Sequence, residues 1–378
     1  MVGMKENMDG DMMPEGLFAP GRRYSAYVDF FRQRYGARLQ KVVIDAGFTC
    51  PNRDGKVGFG GCTFCDNAAF HPAYSRAEKT IGEQIDEGIE FHRGRYRNTA
   101  AYLAYFQAYS NTYASMERLR EIYCAALEHP SVVGIVIGTR PDCIDEEKLD
   151  FLQGLASGKV LEGWRREIAG SGCGGSVAGA GHNGNSATAA PLVLTAPIVI
   201  VEYGIESCYD ETLRRVNRGH DFAAARRTVE MTADRGIDCG AHFILGLPGE
   251  TREMMLEECA MINSLPLTTI KFHQLQIVKG TAMEREYAEH PEDFIRFTLD
   301  GYIDFFIDML EHLRPDLCIE RFAGEVPPRF VNETPWGLIR NVELLRLLEK
   351  RLEDRNTWQG RLLQGLASPT QSWIRCCD

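Results

Sequence analysis

No run of apolar residues in this 378-residue chain approaches the roughly 20 needed to cross a bilayer, so no membrane-spanning helix and no membrane partner are expected. A positively charged start followed by an apolar stretch is also missing. Residues 1–16, MVGMKENMDGDMMPEG, are Met-rich and acidic, which fits neither a secretory signal nor a transit peptide, and a cytoplasmic location is expected. Positive charge is not in excess: 42 Lys and Arg stand against 53 Asp and Glu, for a net −11. That balance speaks against a surface coated for nucleic acid but leaves room for a local basic patch. Cysteine is not scarce, at 12, yet a disulfide framework is not expected in a reducing compartment. Cys124, Cys143, Cys208, Cys239, Cys259 and Cys318 stand singly in apolar segments, where a thiol behaves as a small hydrophobe.

Bulky apolar groups are also missing from residues 168–191, IAGSGCGGSVAGAGHNGNSATAAP. Such a Gly/Ala/Ser-rich stretch cannot bury enough surface to offset its ordering entropy and reads as a disordered insertion. No metal role is expected for its Cys173 and His182. Elsewhere short β-branched runs alternate with helical stretches. KVVIDAG (41–47), AYLAYFQ (101–107), VVGIVIG (132–138), IVIVEYG (198–204), CGAHFILGL (239–247) and IKFHQLQIV (270–278) read as buried parallel strands, with LCIERFAG (317–324) a weaker seventh. Helices are predicted over 78–93, 115–128, 145–155, 208–218, 221–235, 251–264 and 293–313. This βαβ rhythm predicts an α/β fold, an open, partial (β/α)6 TIM-type barrel. Residues 1–20 read as a flexible segment, 21–330 as the barrel domain, and 331–378 as a helical C-terminal cap and tail.

The strongest signal is TCPNRDGKVGFGGCTFC at 49–65. It puts Cys50, Cys62 and Cys65 in a glycine-rich loop after the first predicted strand, where such sheets bind ligands. Three thiolates would leave one iron of a [4Fe–4S] cubane open, whereas an electron-transfer cluster normally takes four. Structural zinc with His71 as fourth ligand is the other reading of the same residues.

With its eleven residues before the CxxC pair, the loop resembles that of the YhcC-like family of radical S-adenosylmethionine (SAM) proteins, relatives of the catalytic subunit of the elongator complex. The resemblance runs from about Tyr24 to Gly360, interrupted near 157–197, through FQAYSNTYA (106–114), GTRPDCI (138–144), VEYGIES (201–207), TLRRVNRGHD (212–221), HFILGLPGET (242–251) and TWQG (357–360). It implies a [4Fe–4S] cluster on Cys50, Cys62 and Cys65. It also implies SAM chelated to the open iron, and a one-electron reductant protein that triggers SAM cleavage to a 5′-deoxyadenosyl radical. By position in these blocks, Gln107, Ser110, Asn111 and Thr112 suit the methionine moiety. Thr139, Arg140 and Asp142 follow the third strand, where Arg140 is placed to pair with the SAM carboxylate. Glu202 and Glu206 suit ribose hydroxyls, and Gly246, Pro248 and Gly249 suit a turn against adenine. Helix capping is the competing role for Ser110 and Ser207. His242 and His273 point either into the barrel or into a satisfied core; Tyr109 and Tyr113 either line the pocket or pack.

Residues 21–41, GRRYSAYVDFFRQRYGARLQK, carry Arg22, Arg23, Arg32, Arg34, Arg38 and Lys41 against Asp29 alone. The segment reads as an amphipathic helix with a basic side, and HRGRYR at 92–97 adds a smaller cluster. Two substrate readings follow: a tRNA wobble uridine contacted through 21–41, or a small molecule or protein. An acetyltransferase domain like that of the elongator subunit is not expected after Phe330. Deletion of 168–191 is expected to leave iron content and SAM cleavage intact; loss of the cluster on deletion would overturn the reading of a disordered insertion.

Overall fold

The structure, a computed structural model, describes residues 12–69, 71–94, 99–170, 192, 194–334, 336–337 and 339–363. Residues 1–11, 95–98 with the last three residues of the second basic cluster, 171–191 with Cys173 and His182, and Cys376 and Cys377 lie outside the described residues. Seven strands form one sheet in sequence order: β1 (Leu39–Ile44), β2 (Ala101–Phe106), β3 (Val132–Thr139), β4 (Ile198–Glu206), β5 (Asp238–Leu245), β6 (Thr269–Gln274) and β7 (Cys318–Arg321). Every neighbouring pair is parallel. The weak seventh run is therefore a true strand, short and paired to β6.

Strands this rich in Val and Ile are buried on both faces, as parallel sheets require. The sheet curls into an open half-barrel. Lys41 of β1 reaches Glu320 of β7 at 2.6 Å, and Lys271 of β6 reaches the Tyr105 hydroxyl of β2 at 3.1 Å, contacts that a flat sheet would forbid. Helices α2 (Ile81–Arg93), α3 (Met116–Leu127), α4 (Glu146–Ala156), α6 (Asp210–Arg215), α7 (Phe222–Asp234), α8 (Arg252–Asn263) and α10 (Leu299–His312) follow the strands. Their starts are written in the sequence: Thr80 and Glu83 form a capping box, and Ser115, Asp145, Asp221, Thr251 and Thr298 each accept a first-turn N–H.

Three expectations change. Residues 159–170 form α5 (Lys159–Gly170), so residues 168–170 end a helix rather than begin a disordered stretch. The helix expected over 293–313 begins only at Leu299, with Thr298 as its cap. A separate α9 (Ala282–Glu289) and a 3₁₀ turn at Pro291–Asp293 precede it. The basic helix of 21–41 shrinks to α1 (Tyr27–Tyr35), because Gly36 in a left-handed conformation (φ 67°) ends it and the chain turns into β1.

Helix α1 closes the bottom of the barrel. Phe31 packs with Leu39, Ala101, Leu103 and Ile198, at the starts of β1, β2 and β4, and Arg34 pairs with Asp238 at the start of β5. Most of the segment's cations have internal partners. Arg22 pairs with Asp29 and Glu349, Arg32 lies 3.6 Å from Asp29, and Lys41 pairs with Glu202 and Glu320 inside the barrel. Among the described residues no helix is long and apolar enough to cross a membrane.

The C-terminal cap consists of α11 (Asn341–Asp354) and the TWQG turn. Gln359, fully buried, accepts from Ser25 N–H and donates to the carbonyls of Arg314 and Leu317. It thus ties both ends of the domain to the α10–β7 connection. Gln359→Ala is expected to cost about 2–4 kcal/mol, because it orphans several buried backbone groups; urea unfolding would measure it, and a loss below about 0.5 kcal/mol would refute the tie.

Candidate active site

The loop after β1 is held in shape by its own backbone. Arg53 N–H donates to Cys50 O at 2.8 Å, Gly61 N–H to Asn52 O at 2.8 Å, and Cys65 N–H to Cys62 O at 3.0 Å. Two glycines are required by close approach: a Cβ on Gly58 would meet Asn52 Oδ1 at 2.4 Å, and one on Gly61 (φ +83°) would meet Arg53 Nε at 2.9 Å. The loop docks on the segment after α6, with Thr63 N–H donating to Val216 O at 3.0 Å and Asn217 Nδ2 to Gly61 O at 2.8 Å.

Cys50, Cys62 and Cys65 line one cavity of about 220 Å³ at the carboxyl ends of the strands. Arg218, buried beside them, donates from Nη1 to Cys62 Sγ at 3.4 Å and from Nη2 to Gly204 O, and lies 3.6 Å from Glu206. Burial opposes its charge, but Cys62 and Glu206 outweigh burial and raise its pKa. A guanidinium here offsets negative charge on sulfur. Burial pushes the Cys65 thiol upward, against the hydrogen bond from Arg53.

Of the other expected residues, Gln107, Ser110, Thr139, Arg140, Glu202 and Glu206 also line the cavity. Arg140, 2% exposed, is clamped by Asp142 through Nε–Oδ1 and Nη2–Oδ2 contacts of 2.8 Å each. Its Nη1 and the Ser110 hydroxyl are buried without a partner. Asn111 instead ties the ends of β2 and β3, donating to Phe106 O and Gly138 O. Thr112 bonds Thr139 at 2.6 Å and Cys143 O at 2.7 Å. Gly246, Pro248 and Gly249 are not in the cavity wall: Gly249 N–H donates to Asp293 O, and a Cβ on Gly246 would meet Ile295 O at 3.1 Å. Tyr109, Glu206 and Asn217 adopt positive φ of 59°, 78° and 53°. Such backbone strain gathers at functional sites.

Beneath these residues lies a buried charge cluster. Glu202, 1% exposed, meets Lys41 and Lys271 at 2.5 Å each and His242 Nε2 at 3.0 Å. Glu320 meets the same two lysines, at 2.6 and 3.1 Å. Burial disfavours charge on Glu202, but Lys271 and Lys41 win and hold it ionised. Burial lowers His273 and keeps it neutral. His220 is pushed down to about 3 by burial and by Arg218. Arg218, Asn217, Lys271, Glu320 and Arg321 are not among the site residues that the sequence points to, and Lys41, expected on a basic helix face, lies instead in this cluster. The first two lie inside a quoted block, TLRRVNRGHD, and a charged residue inside a β-branched run was the missed signal for the rest.

The donor set fits a three-cysteine cluster with SAM beside it. Arg218 supports the thiolates, and Arg140 Nη1 and Ser110 Oγ face the same cavity with hydrogen bonds unspent, as a bound carboxylate requires. The zinc alternative does not assemble. His71 lies 3.8 Å from Asp45 and lines a neighbouring groove, not the cysteine cavity.

Residues 184–262 match the Radical SAM superfamily, and residues 267–354 match the Radical_SAM C-terminal domain. Neither stretch includes the cysteine loop. YtqA of Bacillus subtilis is 32% identical over 91% of this chain and 94% of its own length. YhcC of Escherichia coli is 32% identical over 77% of this chain and 80% of its own. A "tRNA uridine(34) acetyltransferase" of Methanocaldococcus infernus matches more locally, 27% identical over 22% of this chain and 16% of its own. Among solved structures, Elp3 of M. infernus superposes with a TM-score of 0.58 at 14% identity, over 85% of this chain and 64% of that one; it shows the shared fold. This is a radical SAM superfamily enzyme. The chain belongs to the radical SAM family of YtqA and YhcC, and membership implies a [4Fe–4S] cluster and SAM.

One buried group bears on stability rather than chemistry. The Ser207 hydroxyl lies 2.5 Å from Glu250 and 3.2 Å from Glu258, and Cys208 N–H donates to Glu258 at 2.6 Å. One hydroxyl hydrogen cannot serve both carboxylates. Burial raises Glu250 to about 7, and burial plus Glu250 raises Glu258. Raised acids stabilise the fold in their neutral form, so stability is full below the unfolded value near 4.5 and falls as pH rises through 7. Glu258→Gln should flatten this decline, gaining about 1–3 kcal/mol over wild type at pH 8 and little at pH 5. Thermal melts across that range would show it; parallel curves would refute the raised pKa values of this buried pair.

Proposed function

We propose that this enzyme carries its [4Fe–4S] cluster on Cys50, Cys62 and Cys65, holds SAM against Arg140 and Ser110, and modifies a nucleoside in RNA, a tRNA wobble uridine. The observation that carries the reading is the single cavity shared by three thiols and a buried arginine with a free N–H. Together, cluster and SAM supply a one-electron cleavage that ends in abstraction of a hydrogen atom from substrate. The chain's own residues do the rest. Arg140, oriented by Asp142, offers its free N–H to a carboxylate, and Gln107 and Thr139 line the same wall. Arg218 offsets charge at Cys62. His242, oriented by Glu202, lines the cavity. Two likenesses support the RNA reading: the shared fold with Elp3 and the local match to a tRNA uridine(34) acetyltransferase. The chain spans 64% of the former and 16% of the latter, and acetyl transfer is not part of the proposal. Chemistry on an anticodon base needs no duplex opening, because that base is already single-stranded.

The test is anaerobic reconstitution, reduction with dithionite, and measurement of 5′-deoxyadenosine with and without bulk tRNA. Nucleoside formation that rises with tRNA is expected, and Cys62→Ala should abolish both iron loading and cleavage while leaving a folded protein. Cleavage with no response to tRNA would shift the substrate to a small molecule or protein. Zinc in place of iron, with no cleavage, would overturn the proposal.

A further inference from the structure

The cysteine cavity opens sideways, past Gln107, Gln274, Gln276 and Arg321, into a groove of about 980 Å³ between the ends of β6 and β7 and the C-terminal cap. The two share those residues, so the groove leads to the reacting centre. Its volume lies at the upper end of the roughly 300–1,000 Å³ that encloses a whole small ligand, and it adjoins rather than replaces the cavity that holds the chemistry.

Its charge runs against that of the chain. The chain carries a net −11, yet the groove is lined by Arg296, Arg321 and Arg340 against one carboxylate, Glu325, which already accepts from Asn341 N–H. Neither Arg321 nor Arg340 pairs with a carboxylate among the described residues; Arg296 makes one long contact, 3.4 Å, to Glu333. Trp336 and the Pro327–Pro328 pair add flat apolar surface to the same wall. By contrast, α1 and its basic flank close the opposite end of the barrel, at the strand starts. An RNA held there would lie across the barrel from the cysteines.

We infer that this groove, and not the 21–41 segment, receives single-stranded RNA and leads one base to the cavity, with Arg296, Arg321 and Arg340 contacting phosphates. Cations for the backbone beside flat surfaces for bases are what single-stranded RNA requires. The inference rests on the RNA reading above, and the experiment separates the two.

Binding of bulk tRNA to the reconstituted full-length protein would be followed by fluorescence anisotropy at several salt concentrations. The Arg296→Ala/Arg340→Ala pair is expected to weaken binding about tenfold and to lower the salt slope by about 1.4, for two lost contacts to a single strand. RNA-independent SAM cleavage should be unchanged. Arg340→Gln alone, at an exposed helix cap, should show part of the effect if the pair folds poorly. Arg32→Ala/Arg34→Ala should leave binding within about twofold. Wild-type binding that survives the groove variants but fails in the α1 variants would overturn this inference and leave the RNA reading standing. Wild-type protein that binds no tRNA would overturn the RNA reading itself.

Discussion

Four charges inside the barrel carry much of this structure. Lys41, Glu202, Lys271 and Glu320 come from β1, β4, β6 and β7, and each lysine meets both carboxylates. Alone, any one of them would be too costly to bury. Together they bond strands that no ladder connects, because β1 and β7 are not neighbours in the sheet. Removing one partner of such a set typically costs about 3–5 kcal/mol, since the others are left charged and dry. The curl of the sheet and the floor of the cavity therefore depend on one interaction.

Function sits directly above that floor. Glu202 is held ionised from below and so orients His242 toward the cavity from one side. At the rim, Arg218 joins the cysteine loop to the strained end of β4, where Glu206 and Gly204 receive it. The same side chain thus fixes the loop against the sheet and lowers the electrostatic cost of gathering thiolates in one place. Positive φ at Tyr109, Glu206 and Asn217 shows where backbone comfort yields to that geometry.

The layout also divides labour between the barrel's two ends. The strand starts are sealed by α1, whose Phe31 packs among apolar strand residues. The strand ends stay open, bordered by the cysteine loop on one side and the C-terminal cap on the other. Gln359 binds that cap to the domain's first residues, so the groove wall rests on a structure anchored at both ends of the described chain.

The sequence by itself determined the parallel sheet, because β-branched runs of strand length recur between capped helices, and periodicity is a local property. It also determined the cysteine loop, since glycines and thiols at that spacing leave few other readings. Asp142, Arg140 and Ser110 were legible from their place after strands. Only the tertiary structure decided which of the chain's cations are free. Arg22 and Arg34 look like surface charge in sequence, yet they pair with Glu349 and Asp238; Arg321 reads as part of a strand and Arg340 as part of the C-terminal cap, and both line the groove. Ion pairing depends on distance in space between residues hundreds of positions apart, and no spacing along the chain encodes it.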